Sequence, residues 1–282
     1  MFGIVLAGIG NFFAEIAESI GKKEGVEKAA SIYTLSFVSL FFGAIFIFIL
    51  GIARDNLVFS LASLPTFIPR AIFEILQAYA TTRALIEADR GDFGFVKSLT
   101  IPLLLIVDLS LGYPLSSLQM AGMALILVAV STLLIYERHT VRGLFWLLIS
   151  AANASITISL YKYNISNFNS VEAEQSLIMG ILLAYFFFAA LYFAGENPIR
   201  FLLRRVFFAQ SFSAGFAHVA NSFAYLFASP SVIAAAIRSF AVLFALLSGR
   251  LYFHEKYLLL RSSVFMLVVL GLVLLIPGIM LP

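Results

Sequence analysis

Polar side chains recur at helical spacing inside a long apolar segment near the start of the chain. Asn11, Glu15 and Glu18 are spaced i, i+4 and i+7, so an α-helix places them on one face. Glu15 lies about 20 Å along such a helix, where a charge inside a membrane costs about 3 kcal/mol or more. Glu15 and Glu18 are therefore candidate carboxylates for proton coupling. Pairing of Glu15 with a fixed cation such as Arg70 is the structural alternative.

A second polar face lies between residues 59 and 86. Four side chains there have the spacing i, i+4, i+7 and i+11 and share one side of a helix. They are Arg70, Glu74, Gln77 and Thr81. Arg70 and Glu74 carry opposite charges at i and i+4, which predicts a structural ion pair. Gln77 is left as a candidate residue of a polar cavity.

Two cations occur in apolar surroundings far apart in the chain. Lys97 and Arg238 are each several residues inside a predicted helix. If they converge on one cavity, they suit a carboxylate or phosphate on a ligand. If they lie near helix ends, their long side chains reach the lipid headgroups instead. The remaining candidate cavity residues are Asn153, His218, Asn221 and Tyr225.

These residues are embedded in a chain whose surroundings must be lipid. Of its 282 residues, 62% are hydrophobic and 12% are charged, and the mean hydropathy is +1.02. Soluble domains have roughly 25% charged residues. About 20 apolar residues cross the hydrocarbon layer, and ten segments of that kind are present. They are residues 2–21, 30–52, 59–86, 93–112, 116–136, 143–163, 174–195, 204–228, 231–253 and 258–280. The sequence therefore predicts an all-α, multi-pass integral membrane protein of ten helices, expected in the plasma (inner) membrane.

The composition also restricts the chemistry. The chain has no cysteine, which excludes disulfides, thiol catalysis and cysteine ligands to metals. Its three histidines lack the spacing of a metal site, and no ATPase-type phosphate loop is present. The net charge of +3 comes from short loops without a basic tract, which argues against nucleic acid. We expect no cofactor, no metal and no enzyme activity.

Basic residues are unevenly distributed between the two ends of the predicted helices. Eleven Lys and Arg residues fall at one end, and two, Arg54 and Lys162, fall at the end that has both termini. An excess of Lys and Arg marks the cytoplasmic side of a membrane protein. The pattern predicts that both termini lie outside.

The two halves of the chain resemble each other when one is shifted by 141 residues, half of the chain length. Residues 96–99 (VKSL) then fall on residues 237–240 (IRSF), which aligns Lys97 with Arg238. Five helices is an odd number, so the second half enters the membrane from the opposite side. The two repeats become an inverted pair, and such pairs place a substrate site near the membrane midplane.

With this repeat, the chain resembles the drug/metabolite transporter superfamily, EamA type, over nearly its whole length. In that family each half closes with a small-residue helix, a short acidic turn and a glycine-containing helix. Residues 234–259 (AAAIRSFAVLFALLSGRLYFHEKYLL) have this pattern, with Glu255 at the acidic turn. The first half departs from it, because residues 112–115 (GYPL) lack the acid. The resemblance implies two five-helix repeats, residues 1–139 and 140–282, that transport by alternating access.

A local resemblance concerns residues 13–23 (FAEIAESIGKK). They look like the first helix of the small multidrug resistance transporters. In those proteins an Ala-Glu followed eight residues later by Lys carries the carboxylate that exchanges protons for substrate. Ala14, Glu15 and Lys23 match that spacing, which implies Glu15 as a coupling carboxylate.

The function predicted from the sequence is secondary transport of a small amino-acid-like or other amphipathic metabolite, with export expected and protons as the candidate coupling ion. The alternative is a carrier for an anionic or phosphorylated metabolite that uses Lys97 and Arg238. A non-transporting membrane scaffold and an intramembrane lipid enzyme are more remote. The cavity is expected among the third, fourth, eighth and ninth helices, with contributions from the first and sixth. The protein is expected to be a monomer or a homodimer.

Overall fold

The computed structural model describes residues 2–110, 117–136, 141–227, 230–252 and 258–275. All regular secondary structure in these ranges is helical, which confirms the predicted all-α class. The α-helices are α1 (Phe2–Val26), α2 (Ile32–Ala53), α3 (Leu64–Glu87), α4 (Arg90–Lys97), α5 (Thr100–Ser110), α6 (Ser117–Tyr136), α7 (Val141–Asn167), α8 (Val171–Ala189), α9 (Pro198–Leu202), α10 (Arg205–Ala224), α11 (Pro230–Leu251) and α12 (Leu258–Leu275). A 3₁₀ turn, Leu61–Ser63, precedes α3, and a π-helical turn, Ala190–Ala194, extends α8. Residues 112–115 and Glu255, which entered the family resemblance, lie outside the described residues.

Four helices in the described part of the chain are long and apolar enough to cross a membrane. They are α1, α2, Gly143–Asn167 within α7, and Val171–Ala194, which joins α8 to its π-helical turn. Shorter apolar stretches occupy Met120–Ala129 in α6 and Ser262–Gly271 in α12. Helices satisfy their own backbone hydrogen bonds in lipid. The four long helices indicate a multi-pass membrane protein, as predicted from the composition.

Serine caps fix where two of these long helices begin. The hydroxyls of Ser31 and Ser170 each accept a hydrogen bond from the backbone N–H three residues ahead, at the start of α2 and α8. Glu196, which follows α8, also accepts the Ser31 N–H at 3.0 Å. The Ser170 hydroxyl in turn accepts the N–H of Val58, which follows α2, at 3.2 Å. The start of each helix is thus tied to the segment that follows the other.

The predicted fourth helix, residues 93–112, is interrupted in the structure and forms α4 and α5. Pro102 has no N–H to donate to the Ser98 carbonyl, and its ring would crowd that carbonyl. The Ile101 N–H donates to the Ser98 carbonyl instead, at 3.1 Å, which forms a tighter turn. Lys97 is consequently the last residue of a short helix, which corrects the prediction that it lies several residues inside one. A cation is stabilised at a helix C-terminus.

Contacts between helix termini define two ends of the bundle. At the first, which we call the Asn164 end, the C-terminus of α7 meets the start of α3, and Thr66 Oγ1 donates to Asn164 Oδ1 at 2.6 Å. At the second, the Lys22 end, the C-termini of α1 and α3 meet, and Lys22 Nζ donates to the Ala88 carbonyl at 2.5 Å. Helices α1 and α3 therefore run in the same direction, and α7 runs opposite to them.

Small residues let α1 and α10 approach each other closely. Gly10 faces Asn221 and Gly21 faces Gln210, and a Cβ on either glycine would collide with the opposing amide. The two glycines and the two amides have the same separation along their helices, so α1 and α10 run antiparallel in register over about 16 Å. Such close packing stabilises helix pairs in lipid, where burial of apolar side chains gives no advantage.

Replacement of Gly215 by alanine is expected to destabilise the protein. A Cβ at this position of α10 would lie 2.9 Å from the Phe42 backbone and the Phe46 ring, so α2 would have to move, at a cost of about 1–3 kcal/mol. Gly180→Ala in α8 is the matched control, because nothing lies within 4 Å of its Cβ position and alanine favours the helix by about 1 kcal/mol. Thermal unfolding in detergent should shift in opposite directions for the two variants. Equal shifts would contradict the close α2–α10 packing.

Candidate ligand cavity

A cavity of about 320 Å³ lies inside the bundle and extends from its middle toward the Lys22 end. Its walls come mainly from α1, α3, α10 and α11, with further residues from α2, α4 and α8. The α1 wall runs from Asn11 to Gly21 and the α3 wall from Glu74 to Leu85, so the first turns of both helices lie beyond it. A cavity of this volume accommodates a small metabolite.

Most of the residues singled out in the sequence face this cavity. Those in its lining are Asn11, Glu15, Glu18, Glu74, Gln77, Thr81, Lys97, His218, Asn221 and Arg238. Asn153, Tyr225 and Arg70 are not in the lining. Helix α7 corresponds to the sixth predicted helix and was expected to contribute, but none of its described residues lines the cavity. Helix α2 lines it instead, through Leu35, Ser39 and Leu40.

The cavity contains charges of both signs. The carboxylates belong to Glu15, Glu18 and Glu74, and the cations to Lys97 and Arg238. Glu18 on α1 lies near enough to Arg238 on α11, and to His218 on α10, for its charge to act on both. A cavity with this arrangement can bind a ligand that itself carries a positive and a negative group.

The two cations differ in their surroundings. Lys97 Nζ lies 4.5 Å from the centroid of the Phe93 ring, so its charge already has a cation–π contact. Arg238 makes no hydrogen bond or ion pair of its own within the described residues, and Glu18 and Tyr225 act on it electrostatically. Its planar guanidinium has five N–H donors, which match the two oxygens of a carboxylate. Arg238 is therefore the better placed of the two to bind an anionic group.

Glu15 is held by two hydroxyl groups. Its Oε1 accepts from Ser19 Oγ at 2.9 Å on the same helix and from Ser248 Oγ at 2.5 Å on α11. Ser248 is buried and was not a candidate from the sequence, because one serine in an apolar helix carries no signal of its own. The α1–α11 contact brings the two residues together, which fixes the position of the carboxylate.

Gln77 is positioned by residues of α7. Its Nε2 donates to Ser150 Oγ at 3.0 Å, and its Oε1 accepts from Asn153 Nδ2 at 3.0 Å. Asn153 also donates to the Phe73 carbonyl at 2.8 Å. The structure thus places Asn153 behind the cavity wall, where it orients Gln77.

Helix α10 supplies a further polar residue that the sequence did not single out. Gln210 is 3% exposed and lines the cavity near the Lys22 end. Neither its Oε1 nor the Oδ1 of Asn221 has a hydrogen-bond partner among the described residues. Buried acceptors without a partner are unfavourable by about 1–3 kcal/mol. Both oxygens are buried, and that of Asn221 lies against Gly10 in the α1–α10 contact. Gln210 was missed because it lies close to a predicted helix start, where polar residues are ordinary.

Arg70 has a closer partner than the predicted one. Its Nη1 lies 2.5 Å from Glu174 Oε1, whereas its Nη2 lies 3.4 Å from Glu74 Oε1. Arg70 is 1% exposed and Glu174 is fully buried. Glu174 also accepts from Asn164 at 2.8 Å and from Asn169 at 2.5 Å. Glu174 was missed because an acid in the first turn of a helix is common, where it interacts with the helix dipole.

Two tyrosines cover this network. The Tyr161 ring centroid lies 4.6 Å from the Arg70 guanidinium carbon, in cation–π contact. Tyr225 packs edge-on against Tyr161, with ring centroids 6.2 Å apart. Tyr225, predicted as a cavity residue, therefore lies against the Arg70 network rather than in the cavity lining.

The carboxylates of the cavity do not form a metal centre. In the part of the chain that the structure describes, no group of three or more His, Asp and Glu side chains is placed to hold a metal ion. Glu15 and Glu74 each accept hydrogen bonds from side-chain donors instead.

No model of a known protein family matches the chain, and no curated protein sequence matches it.

Proposed function

We propose that the protein is a secondary transporter that carries a small zwitterionic, amino-acid-like metabolite across the membrane by alternating access. The observation that supports this most directly is the cavity of about 320 Å³, which brings carboxylates and cations together inside a bundle of apolar helices. Ionisable residues inside a membrane protein are unfavourable unless they have a function or a partner. A scaffold without transport has no need of such a cavity.

The charged groups of the cavity complement a zwitterion. The Arg238 guanidinium offers donors to a ligand carboxylate, and Glu18 lies close enough to balance its charge. The carboxylates of Glu15 and Glu18 on α1 can accept from a ligand ammonium. A purely anionic ligand would meet three carboxylates in the same space, which is repulsive at short distance in a low dielectric.

The pairing of helices supports an inverted repeat of two five-helix halves, residues 1–139 and 140–282. Helix α1 packs on α10, and its equivalent α7 packs on α3, the equivalent of α10. In the α2–α8, α4–α11 and α6–α12 pairs, the two helices are equivalents of each other, one from each half. These pairs therefore stay the same when the two halves are interchanged. A two-fold relation between halves has this property, and in transporters it relates the outward- and inward-facing states.

The register of the equivalent helix pairs supports the same repeat. The positions equivalent to Gly10 and Asn221 in the other half are found by adding half the chain length to the first number and subtracting it from the second. These two equivalent positions are each one residue from a member of the Thr81–Ser150 pair. The hydroxyls of Thr81 and Ser150 are 2.8 Å apart. This register favours the resemblance to the EamA-type drug/metabolite transporters.

The location of the cavity indicates the side of the membrane from which the substrate enters. The cavity extends toward the Lys22 end, which is the end rich in Lys and Arg. By the positive-inside rule that end is cytoplasmic, and the plasma membrane is the proposed location. In this arrangement the cavity takes its substrate from the cytoplasm, as export requires.

Uptake into proteoliposomes tests the function. Purified protein is reconstituted with an internal pool of unlabelled solute, and exchange is followed for radiolabelled zwitterionic amino acids and, separately, for phosphorylated anions. We expect exchange of zwitterions, and faster net movement when a proton gradient is imposed. Exchange of phosphorylated anions alone would favour the anionic carrier that uses Lys97 and Arg238. Exchange of neither class, beyond that of protein-free liposomes, would contradict transport of these solutes.

A further inference from the structure

Arg70 is shared between the cavity and the buried network at the Asn164 end. Its Nη2 reaches Glu74, which lines the cavity, and its Nη1 binds Glu174, which has no exposure at all. Glu74 lies one helical turn from Arg70, and the side-chain exposure of Glu74 is 22%. Of the two acids bound to Arg70, only Glu74 is therefore in contact with the cavity.

The Arg70 network closes the Asn164 end of the bundle. Arg70, Glu174 and Asn164 are each at most 1% exposed, and the neighbouring Ser63 is fully buried. Ser63 Oγ accepts from Asn169 Nδ2 at 3.0 Å, and Asn169 also donates to Glu174. None of these residues is in the cavity lining, so among the described residues they form a buried layer between the cavity and the Asn164 end. In a transporter, this end has to open in the opposite state.

The charge of the three linked side chains depends on Glu74. With both acids ionised, one guanidinium faces two carboxylates, and the buried cluster has a net charge of one negative unit. A net charge in a low dielectric is strongly unfavourable and is relieved by water or by a proton. With Glu74 protonated, Arg70 and Glu174 form a neutral pair that tolerates burial. Glu74 lines the cavity, so it is the acid that a proton from the cavity can reach.

We propose that Glu74 is a proton-binding site of this protein and that its protonation closes the Asn164 end. The inference rests on the proposed alternating access. It adds that protonation of a residue in the same cavity determines when the Asn164 end closes. A proton from the cavity adds to a Glu74 oxygen, and Arg70 is then bound by Glu174 alone. When the proton leaves, Glu74 competes for Arg70, and the cluster is stabilised by hydration as the Asn164 end opens.

Other charged and titratable groups face Glu74 from the elements around it. They are Arg70 on α3, Glu174 on α8, Tyr161 beside Arg70 on α7, Glu15 and Glu18 on α1, His218 on α10, Arg238 on α11 and Lys97 on α4. Of these, Arg70 alone makes a direct ion pair with Glu74 among the described residues. Glu87 is the matched control acid, because it also pairs with an arginine one turn earlier on α3, Arg83 at 3.0 Å, but it is not in the cavity lining.

Thiol accessibility measures this closure without any substrate. The natural chain has no cysteine, so Ser63→Cys introduces the only thiol, at a buried position of the Asn164 end. Ser166→Cys gives an exposed thiol near the same end. The ratio of their labelling rates with a membrane-impermeant maleimide removes the pH dependence that the two thiols share. Because burial raises the pKa of a thiol, the remaining difference is measured in the Glu74→Gln background. We expect this ratio to rise at least about tenfold between about pH 5 and about pH 9.

Two substitutions in the Ser63→Cys background are expected to act in opposite directions. Glu74→Gln imitates the protonated acid, so the ratio should stay low at every pH. Glu174→Gln removes the buried partner of Arg70, so the ratio should be high at acidic pH, where protonated Glu74 cannot balance the charge of Arg70. Glu87→Gln should keep the rise of the parent. A flat ratio in the parent, or an unchanged rise in Glu74→Gln, would overturn the proposal. If Glu174→Gln does not fold, the Glu74→Gln and Glu87→Gln results decide.

The labelling experiment distinguishes a failure of the Glu74 proposal from a failure of the transport proposal. A flat labelling ratio in a protein that exchanges zwitterions would refute the role of Glu74 and leave transport intact. A ratio that depends on pH and on Glu74, in a protein that exchanges neither class of solute, would contradict transport of these solutes and leave the proton-controlled closure intact.

Discussion

Replacement of Arg70 by methionine is expected to destabilise the protein by about 3–5 kcal/mol, because it leaves Glu174 as a buried charge without a cation. Asn164 and Asn169 would still donate to Glu174, but neutral donors do not balance its charge. The loss of the Tyr161 contact adds to the effect. Unfolding in mixed micelles titrated with SDS gives the change in free energy.

The double variant Arg70→Met, Glu174→Met is the control for this prediction. Removing both charges leaves two apolar side chains of similar length, and such replacements of buried ion pairs are often neutral or stabilising. The double variant should therefore be more stable than Arg70→Met alone. If the two single losses simply add in the double variant, the ion pair between Arg70 and Glu174 does not contribute as the structure indicates.

Replacement of Arg238 by glutamine is expected to have the largest effect on transport. Glutamine keeps two donors but loses the charge and the planar fork that suit a carboxylate. Loss of a charged partner in a desolvated site costs about 2–5 kcal/mol, which lowers transport efficiency between about 30-fold and about 5,000-fold. The measurement is the concentration dependence of zwitterion exchange in proteoliposomes.

Lys97→Gln is the matched variant for Arg238→Gln. Lys97 is at the end of a short helix and already lies over the Phe93 ring, so its loss should lower zwitterion exchange much less. If the ligand were phosphorylated, both cations would be needed and the two variants would be equally impaired. Thermal stability of both variants separates a loss of binding from a loss of folding. Unchanged exchange in Arg238→Gln would contradict its assignment as the carboxylate-binding residue.

Much of the helical framework could be predicted from the sequence, because long apolar segments between charged or Gly- and Pro-containing breaks have few alternatives in lipid. Predicted and observed ends differ by a few residues where capping decides, as at Ser31 and Ser170. The break between α4 and α5 was missed, although Pro102 carries its cause. A proline inside an apolar run only kinks many membrane helices, so its effect depends on the neighbouring helices.

From the sequence, the residues of the candidate cavity could be predicted only where their spacing places them on one face of a helix. Spacing placed Glu15 and Glu18 on one face and Glu74 and Gln77 on another, and these faces do line the cavity. Spacing could not identify partners on other helices, because tertiary packing brings them together. Glu174 is 104 residues from Arg70, and no local pattern links the two.

The hydrogen bond between Ser31 and Glu196 has a consequence for biosynthesis. The two residues are 165 positions apart, so a ribosome that adds about 5–20 residues per second needs about 8–33 s between them. During that interval the first turn of α2 is without its carboxylate, and the glycine face of α1 is without α10. Helix α1 packs mainly on α10 and α11, and α2 packs mainly on α8 and α10. The first half must therefore wait in the bilayer, shielded by lipid or by the insertion machinery, until the second has been inserted.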